Sequence, residues 1–345
     1  MNPTPVRIGV MSFAHVHAPA YTMALRARPD VELLAADPDA EGGPPDELAT
    51  RGAALAGRLG VRLVSDYDEL LAWRPHGVVV FSENTRHRAL VEQAAAAGVH
   101  VLCEKPLAAT TTDAAAMVAS CAAAGVNLMT AYPVRFHPAF QRMREHVKAG
   151  RLGRLHSAVG ANNGGAPFRG RRWFLDPCFG GGAVLDHVVH LADLIGNLVD
   201  ATPTEVYAQA NHVMYAMDGG AETAGLVFVS YDDGFVATID CSWSEPVSYP
   251  SWRGLTLTVY GSEATMTFDC SRQHVTAYDD RSGRADWVEC APGIDEALMV
   301  DEFVRSIREA RPPRPDGVVG LRTLAVVEAA QASLATGLPA PVPHR

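Results

Sequence analysis

Up to about residue 130 the apolar positions fall in short solid runs, each followed by a stretch with helical spacing. VRIGVM (6–11), VELLAAD (31–37), VRLVS (61–65), GVVVFS (77–82), VHVLCEKP (99–106) and VNLMTAY (126–132) are too short for helices and rich in β-branched residues. They lack the polar–apolar alternation of a half-buried strand, so they are predicted to be strands of a parallel sheet, covered on both faces. Between them, APAYTMALRARP, DYDELLAWRP (capped by Asp66 or Ser65), TRHRALVEQAAAAG (closed by Gly98) and TTDAAAMVASCAAAG read as helices. Repeated β-α-β units of this kind predict a doubly wound parallel sheet over residues 1–130.

Beyond about residue 133 the pattern changes. RFHPAFQRMREHVKAGRLG reads as a helix, NNGGAPFRGRRWF as a Gly/Arg-rich loop, and GGGAVLDHVVHLADLIG as a further helix. TEVYAQANHV, AGLVFVSY, FVATIDCSW, GLTLTVYG and ATMTFD then follow as strands without intervening helices, which predicts a large, mostly antiparallel open sheet. Two closing helices, DEALMVDEFVRSIREAR and GVVGLRTLAVVEAAQASLATG, complete a second α/β domain over 131–345, with the last helices free to pack back on the first domain.

Composition narrows the function. The 345 residues are 48% hydrophobic and 20% charged, with a formal net charge of −10 and no dense Lys/Arg stripe. Nucleic acid and anionic membrane are therefore poor partners. No basic flank with an apolar core opens the chain, and no run reads as a bilayer span, so a cytoplasmic protein is expected. Six scattered cysteines without a CxxC pair point to buried free thiols and against a thiolate metal site.

Ligands of a doubly wound sheet sit beyond the carboxyl ends of its strands. Ser12, Asp37, Ser82, Glu104 and Lys105 lie at such ends. The first turn has no G-x-G-x-x-G: Ser12 and Ala14 stand at the first two glycine places and His17 at the third. Small residues still allow close approach of a pyrophosphate, and the following helix N-terminus still offers amides and a positive dipole end. Asp37, about 20 residues on, suits the hydroxyls of an adenosine ribose and repels a 2′-phosphate, which favours NAD over NADP.

Two further elements carry chemistry. In CEKP, Lys105 precedes a proline, where extended geometry is enforced and a cis bond is cheapest. An amine aimed into a partly dry pocket can serve as acid or base. In GGGAVLDHVVHLADLIG, helical spacing puts Asp186, His190 and Asp193 on one face opposite Val184, Val188, Leu191 and Ile195. Asp186 can then orient the His190 imidazole. Asp186, His187 and His190 also invite a metal reading, but histidines at i and i+3 share an ion only loosely, and no metal is expected.

The EKP turn, joined to a GG-x-x-x-D-x-x-x-H helix some eighty residues later, resembles the Gfo/Idh/MocA family of NAD(P)-dependent oxidoreductases. The resemblance extends through RFHPAFQRMREHVKAGRLGRLHS, RRWFLDPCFGGGAVLDHVVHLADLI and the closing helices. It implies a Rossmann domain, an α/β domain whose open sheet mediates homodimers or homotetramers, and a site between the domains for a small sugar or polyol. It further implies Lys105, Asp186 and His190 as the catalytic set. Ser12, Phe13, Ala14, His15, Asp37, Ser82, Glu83, Asn84, His87, Glu104, Lys105 and Arg135 would then lie along the cofactor. Arg172, Trp173 and His187 would reach the substrate, while Trp243 and Tyr249 are more naturally core than sugar platform. Departures from the family pattern are the missing glycines, Glu83 where a proline is usual, and extra histidines at His15, His17 and His187. The expected activity is dehydrogenation at a secondary alcohol of a sugar, glycoside or cyclitol. An NAD-recycling glycosidase and a non-catalytic ligand-binding protein on a degenerate scaffold are the alternatives.

Overall fold

The computed structural model describes residues 4–40, 48–167, 171–214, 220–246, 248, 253–272, 274–279, 283–289 and 295–343. The chain divides into two compact units. The first comprises Met1–Tyr132, Pro167–Gly180 and Glu296–Leu321; the second comprises Pro133–Ala166, Gly181–Asp295 and Arg322–Arg345.

The first unit is built on six parallel strands: β1 (Val6–Met11), β2 (Val31–Ala36), β3 (Arg62–Val64), β4 (Gly77–Val80), β5 (His100–Glu104) and β6 (Leu128–Ala131). Their order is β3-β2-β1-β4-β5-β6. This is the doubly wound order that reverses direction beside β1, as the alternating runs predict. All four residues of β4 are buried, in keeping with a strand covered on both faces. The connecting helices are α1 (Ala18–Arg26), α2 (Gly52–Leu59), α3 (Tyr67–Ala72), α4 (His87–Ala96) and α5 (Thr111–Ala123). Asp66 caps α3 by accepting the Glu69 N–H at 2.8 Å, and Thr110 caps α5 through the Asp113 N–H.

The second unit carries α6 (Pro138–Lys148), α7 (Ala183–Gly196) and a nine-stranded sheet. Its strands are β7 (Leu155–Gly165), β8 (Pro203–Asn211), β9 (Ala224–Tyr231), β10 (Val236–Glu245), β11 (Arg253–Gly261), β12 (Ala264–Asp269), β13 (His274–Asp279), β14 (Arg284–Glu289) and β15 (Ala340–Pro341). Every pairing is antiparallel except β7 with β10. The NNGG segment read as loop is the end of β7, a central strand. Glycines elsewhere on this sheet answer to helix packing: a Cβ on Gly160, earlier in β7, would stand 2.6 Å from Leu191, and one on Gly225 of β9 2.8 Å from Val184. Bare backbone on the sheet thus admits α7, and the helix is buried almost all round.

The chain closes with α8 (Asp295–Arg308) and α9 (Gly317–Thr336). In the first unit Gly77 of β4 lies under Phe303 and Ile307 of α8. Contrary to the reading that no segment matches a bilayer span, α9 has the length and hydropathy of one. Half of it is buried within the protein, and the hydroxyl of its Ser333 accepts the Ala208 N–H at 3.0 Å, as befits a core helix.

Candidate active site

At the carboxyl end of β1 the chain turns through Ser12, whose φ of 71° lies in the left-handed region where glycine is the easy occupant. Serine thus performs the turn that the first fingerprint glycine would make. Its hydroxyl donates to Asp37 Oδ1 (3.2 Å) and accepts the Ala14 N–H (3.2 Å). Other turn amides are also engaged: Ser12 N–H with the Ala36 carbonyl, His15 N–H with that of Phe81 and His17 N–H with His15 Nδ1. From the Pro167–Gly180 segment, Arg171 donates to the carbonyls of Phe13, Ala14 and Thr50, and Trp173 Nε1 donates to Ala14. Ser12, Phe13, Ala14 and His15 are consequently almost wholly buried. Arg172, by contrast, is exposed, whereas Trp173 is buried and stacks on Phe174 at 3.9 Å.

Asp37 follows β2, where the sequence places it, but it is not a bare carboxylate. Arg51 Nη2 donates to its Oδ1 (2.9 Å), and Oδ2 accepts the Gly52 N–H (2.9 Å). The same guanidinium reaches Glu83 Oε1 at 3.1 Å and Ser12 Oγ at 3.3 Å. Burial opposes the Arg51 charge, yet Asp37 and Glu83 outweigh it and hold the group above its ordinary range. Arg86 extends the network to Asp39 (2.7 Å), which accepts from the buried Tyr67 hydroxyl (2.7 Å). Sequence reasoning missed Arg51, because nothing in ATRGAAL marks an arginine that will fold under a strand end.

A second carboxylate centre forms at the end of β5. Glu104 is fully buried, with Oε1 3.0 Å from His17 Nδ1 and 3.6 Å from His15 Nδ1. Its Oε2 accepts the Lys105 N–H at 2.9 Å. Burial would raise this carboxyl, but its attraction to His15, His17 and Lys105 outweighs that and holds it well below the usual carboxylate range. Lys105 itself is only 2% exposed, and its bond to Pro106 is cis. His87 supports this turn. Its Nδ1 lies 3.1 and 3.2 Å from the carbonyls of Pro106 and Leu107, and its Nε2 lies 3.2 Å from that of Ser82. Burial lowers its pKa against the pull of those carbonyls and of Glu104. Asn84 ties the same region to Gly180 through Nδ2 (2.7 Å).

In the second unit, α7 presents Asp186 and His190, each 8% exposed. Asp186 Oδ2 accepts the Trp243 indole N–H at 3.1 Å and faces His187 Nε2 at 3.3 Å; His187 Nδ1 bonds the Asn162 carbonyl at 2.7 Å. Trp243 is therefore a core side chain that also orients a carboxylate, while Tyr249 lies outside the described residues. Asp193, one turn along, forms a two-pronged buried pair with Arg135, Nε to Oδ2 at 3.0 Å. The guanidinium expected along the cofactor thus has a structural partner.

A nicotinamide dinucleotide fits this frame in three respects: the strand order, the left-handed residue after β1, and an acid after β2. Residues 45–132 match the family described as "Oxidoreductase family, NAD-binding Rossmann fold", and residues 140–267 match "GFO/IDH/MocA C-terminal domain". D-xylose 1-dehydrogenase (NADP(+)) 2 of Haloferax volcanii is 30% identical over 292 residues, 83% of this chain and 87% of the relative. Myo-inositol 2-dehydrogenase of Thermotoga maritima is 27% identical over 266 residues, 74% and 77% of the two chains. Among solved structures, GenD2 from gentamicin A biosynthesis in complex with NAD superposes with a TM-score of 0.83 at 25% identity, covering 100% of this chain and 98% of that one. With these two family models matched over well over half of the chain and a 30% identical relative spanning most of it, the protein belongs to the GFO/IDH/MocA family of oxidoreductases.

Proposed function

We propose that the protein is a nicotinamide-dependent dehydrogenase that acts on a secondary alcohol of a sugar, glycoside or cyclitol. A bound nicotinamide dinucleotide supplies the hydride acceptor. Lys105 Nζ takes or relays the proton of the carbinol hydroxyl, His190 shares the acid–base work, and Asp186 stabilises the protonated imidazole. The EKP turn carries this reading. A lysine 2% exposed, on a turn whose carbonyls are clamped by His87, is held as a positioned amine. Replacing Lys105 by Met or Ala should lower kcat by about 10²–10⁴-fold, the usual worth of a positioned acid–base group, with the circular dichroism unchanged. Near-normal turnover would remove Lys105 from the mechanism.

For the cofactor we propose a preference for NAD. Asp37, Asp39 and Glu83 set three carboxylates against the two guanidinium groups of Arg51 and Arg86, leaving the network one net negative charge. That charge disfavours a 2′-phosphate. Glu83→Gln should raise the NADP-to-NAD ratio of kcat/KM; an unchanged ratio would show that this network does not select the cofactor.

One relative favours a second reading. The 2,7-anhydro-N-acetylneuraminate hydratase of Escherichia coli is 27% identical over 175 residues, 46% of its length, and its name describes no net redox change. A reaction in which the cofactor is reduced and reoxidised within one turnover would release product without accumulating NADH, so NADH stoichiometry separates the two.

We further propose a homo-oligomer formed through the open sheet. Tyr207, Phe228, Thr238 and Val159 pair across β8, β9, β10 and β7 as one row, and Phe228 and Val159 are 40% and 50% exposed. An apolar row of this kind calls for a cover. Light scattering on Phe228→Glu should report a smaller species than the parent.

A further inference from the structure

The proposed acid–base set leaves unexplained why two histidines crowd the first turn and meet a buried acid. We propose that His15, His17 and Glu104 hold a divalent transition-metal ion, with Zn²⁺ the ion the donor set suits best. One ligand atom from each side chain lies within 4.8 Å of the others. The separations of 3.0 Å from His17 and 3.6 Å from His15 to Glu104 Oε1 bracket the edge of about 3.4 Å expected for a tetrahedron with metal–ligand bonds near 2.1 Å.

The surroundings prepare the donors. The Lys105 N–H holds Oε2 at 2.9 Å, which turns Oε1 toward the two imidazoles. This is the outer-layer hydrogen bond that fixes a ligating carboxylate. His15 Nδ1 accepts the His17 N–H at 3.2 Å, so it carries the lone pair that an ion would take over. The Tyr21 hydroxyl lies 3.3 Å from His17 Nδ1 and adds an oxygen neighbour. Phe174 and Trp173, with ring centroids 5.4 and 6.0 Å from His15, wall the cluster with apolar surface. Two neutral imidazoles and one carboxylate match zinc and its first-row neighbours better than calcium or magnesium, which prefer all-oxygen sets. Three protein ligands leave a fourth position open, the pattern of a site that also takes water or a substrate hydroxyl.

This inference is independent of the dehydrogenase reading, because its test reads the metal. The full chain is stripped with chelator and titrated with Zn²⁺ alone by calorimetry, then with Co²⁺ by visible absorbance. One equivalent is expected to bind the parent protein and Cys178→Ser, which removes an exposed thiol. His17→Gln, at a side chain 22% exposed, keeps a hydrogen-bonding group beside Glu104 and should fold. It should weaken Zn²⁺ by at least about 100-fold, the upper end of what losing an outer partner costs. Glu104→Gln should do the same if its circular dichroism is native. Absence of a stoichiometric site in the parent would overturn the proposal. So would binding that survives His17→Gln but is lost in His187→Ala.

Discussion

Asp37 and Glu104 stand at the carboxyl ends of β2 and β5, with β1 and β4 between them in one parallel sheet; both are almost wholly buried, yet they are neutralised by different chemistry. Asp37 faces the guanidinium of Arg51, which keeps its charge at any ordinary pH and is shared with Glu83. Glu104 faces two imidazoles, whose charge depends on protonation or on a bound ion. The first centre is fixed and the second adjustable. A carboxylate placed at a strand end by the fold is therefore not yet a function; its partner decides what it can do.

The sharpest way to break this comparison is to remove one partner from each centre. Arg51→Met leaves the buried Asp37 and Glu83 carboxylates without the guanidinium they share and should cost about 3–5 kcal/mol, read from urea unfolding of the full chain. His17→Gln leaves Glu104 with His15 and the Lys105 N–H and should cost only about 1 kcal/mol. Equal losses would mean that the two centres do not differ as described. Arg51→Lys should recover little, because a single ammonium cannot bond Asp37 and Glu83 together as the planar fork does.

Acid provides a second lever of smaller size. Burial lowers the folded pKa of His87, so below about pH 6.5 the unfolded chain binds a proton that the folded chain resists. Stability should then fall with pH, by at most about 1.4 kcal/mol per pH unit for one proton. Glu104 acts in a separate window. Its folded pKa is depressed, so its contribution is complete above the unfolded value near 4.3 and is lost only as pH falls toward the folded one. Melting curves should show a first decline that His87→Gln flattens and a later one that it leaves alone. A profile flat from neutrality to about pH 5 would contradict the assignment to His87.

How much of this was legible in the chain follows the range of the interactions. The parallel sheet could be read because each buried strand carries its signal within a few residues, as GVVV does in β4. The cap at Asp66 was open in the same way. The end of β7 was hidden, because NNGG lacks apolar residues and is held as strand by pairing with β10 and β11, segments some eighty to ninety residues away. Asp37, Lys105, Asp186 and His190 could be picked as candidates from position, pattern and resemblance, and their roles remain proposals. Arg51, Arg171 and the Arg135–Asp193 pair could not, since an arginine's partner depends on where a long flexible side chain ends, and no local spacing records it.

The smallest effect concerns Ser12, where local strain and long-range bonding oppose each other. A left-handed backbone costs a residue with a Cβ about 1–2 kcal/mol, and glycine avoids that cost. The Ser12 hydroxyl offsets it by joining Asp37, Arg51 and the Ala14 amide, contacts of 3.2–3.3 Å that are individually weak. Ser12→Gly relieves the strain and loses the bonds, so it should lie within about 1 kcal/mol of the parent. Ser12→Ala loses the same bonds and keeps the strain, so it should be the less stable variant by about 1 kcal/mol. That order reverses the usual advantage of alanine over glycine in regular structure. If Ser12→Ala proved the more stable of the two in urea, the backbone at this turn would carry no strain, and the lost fingerprint glycine would have had no conformational task to hand on.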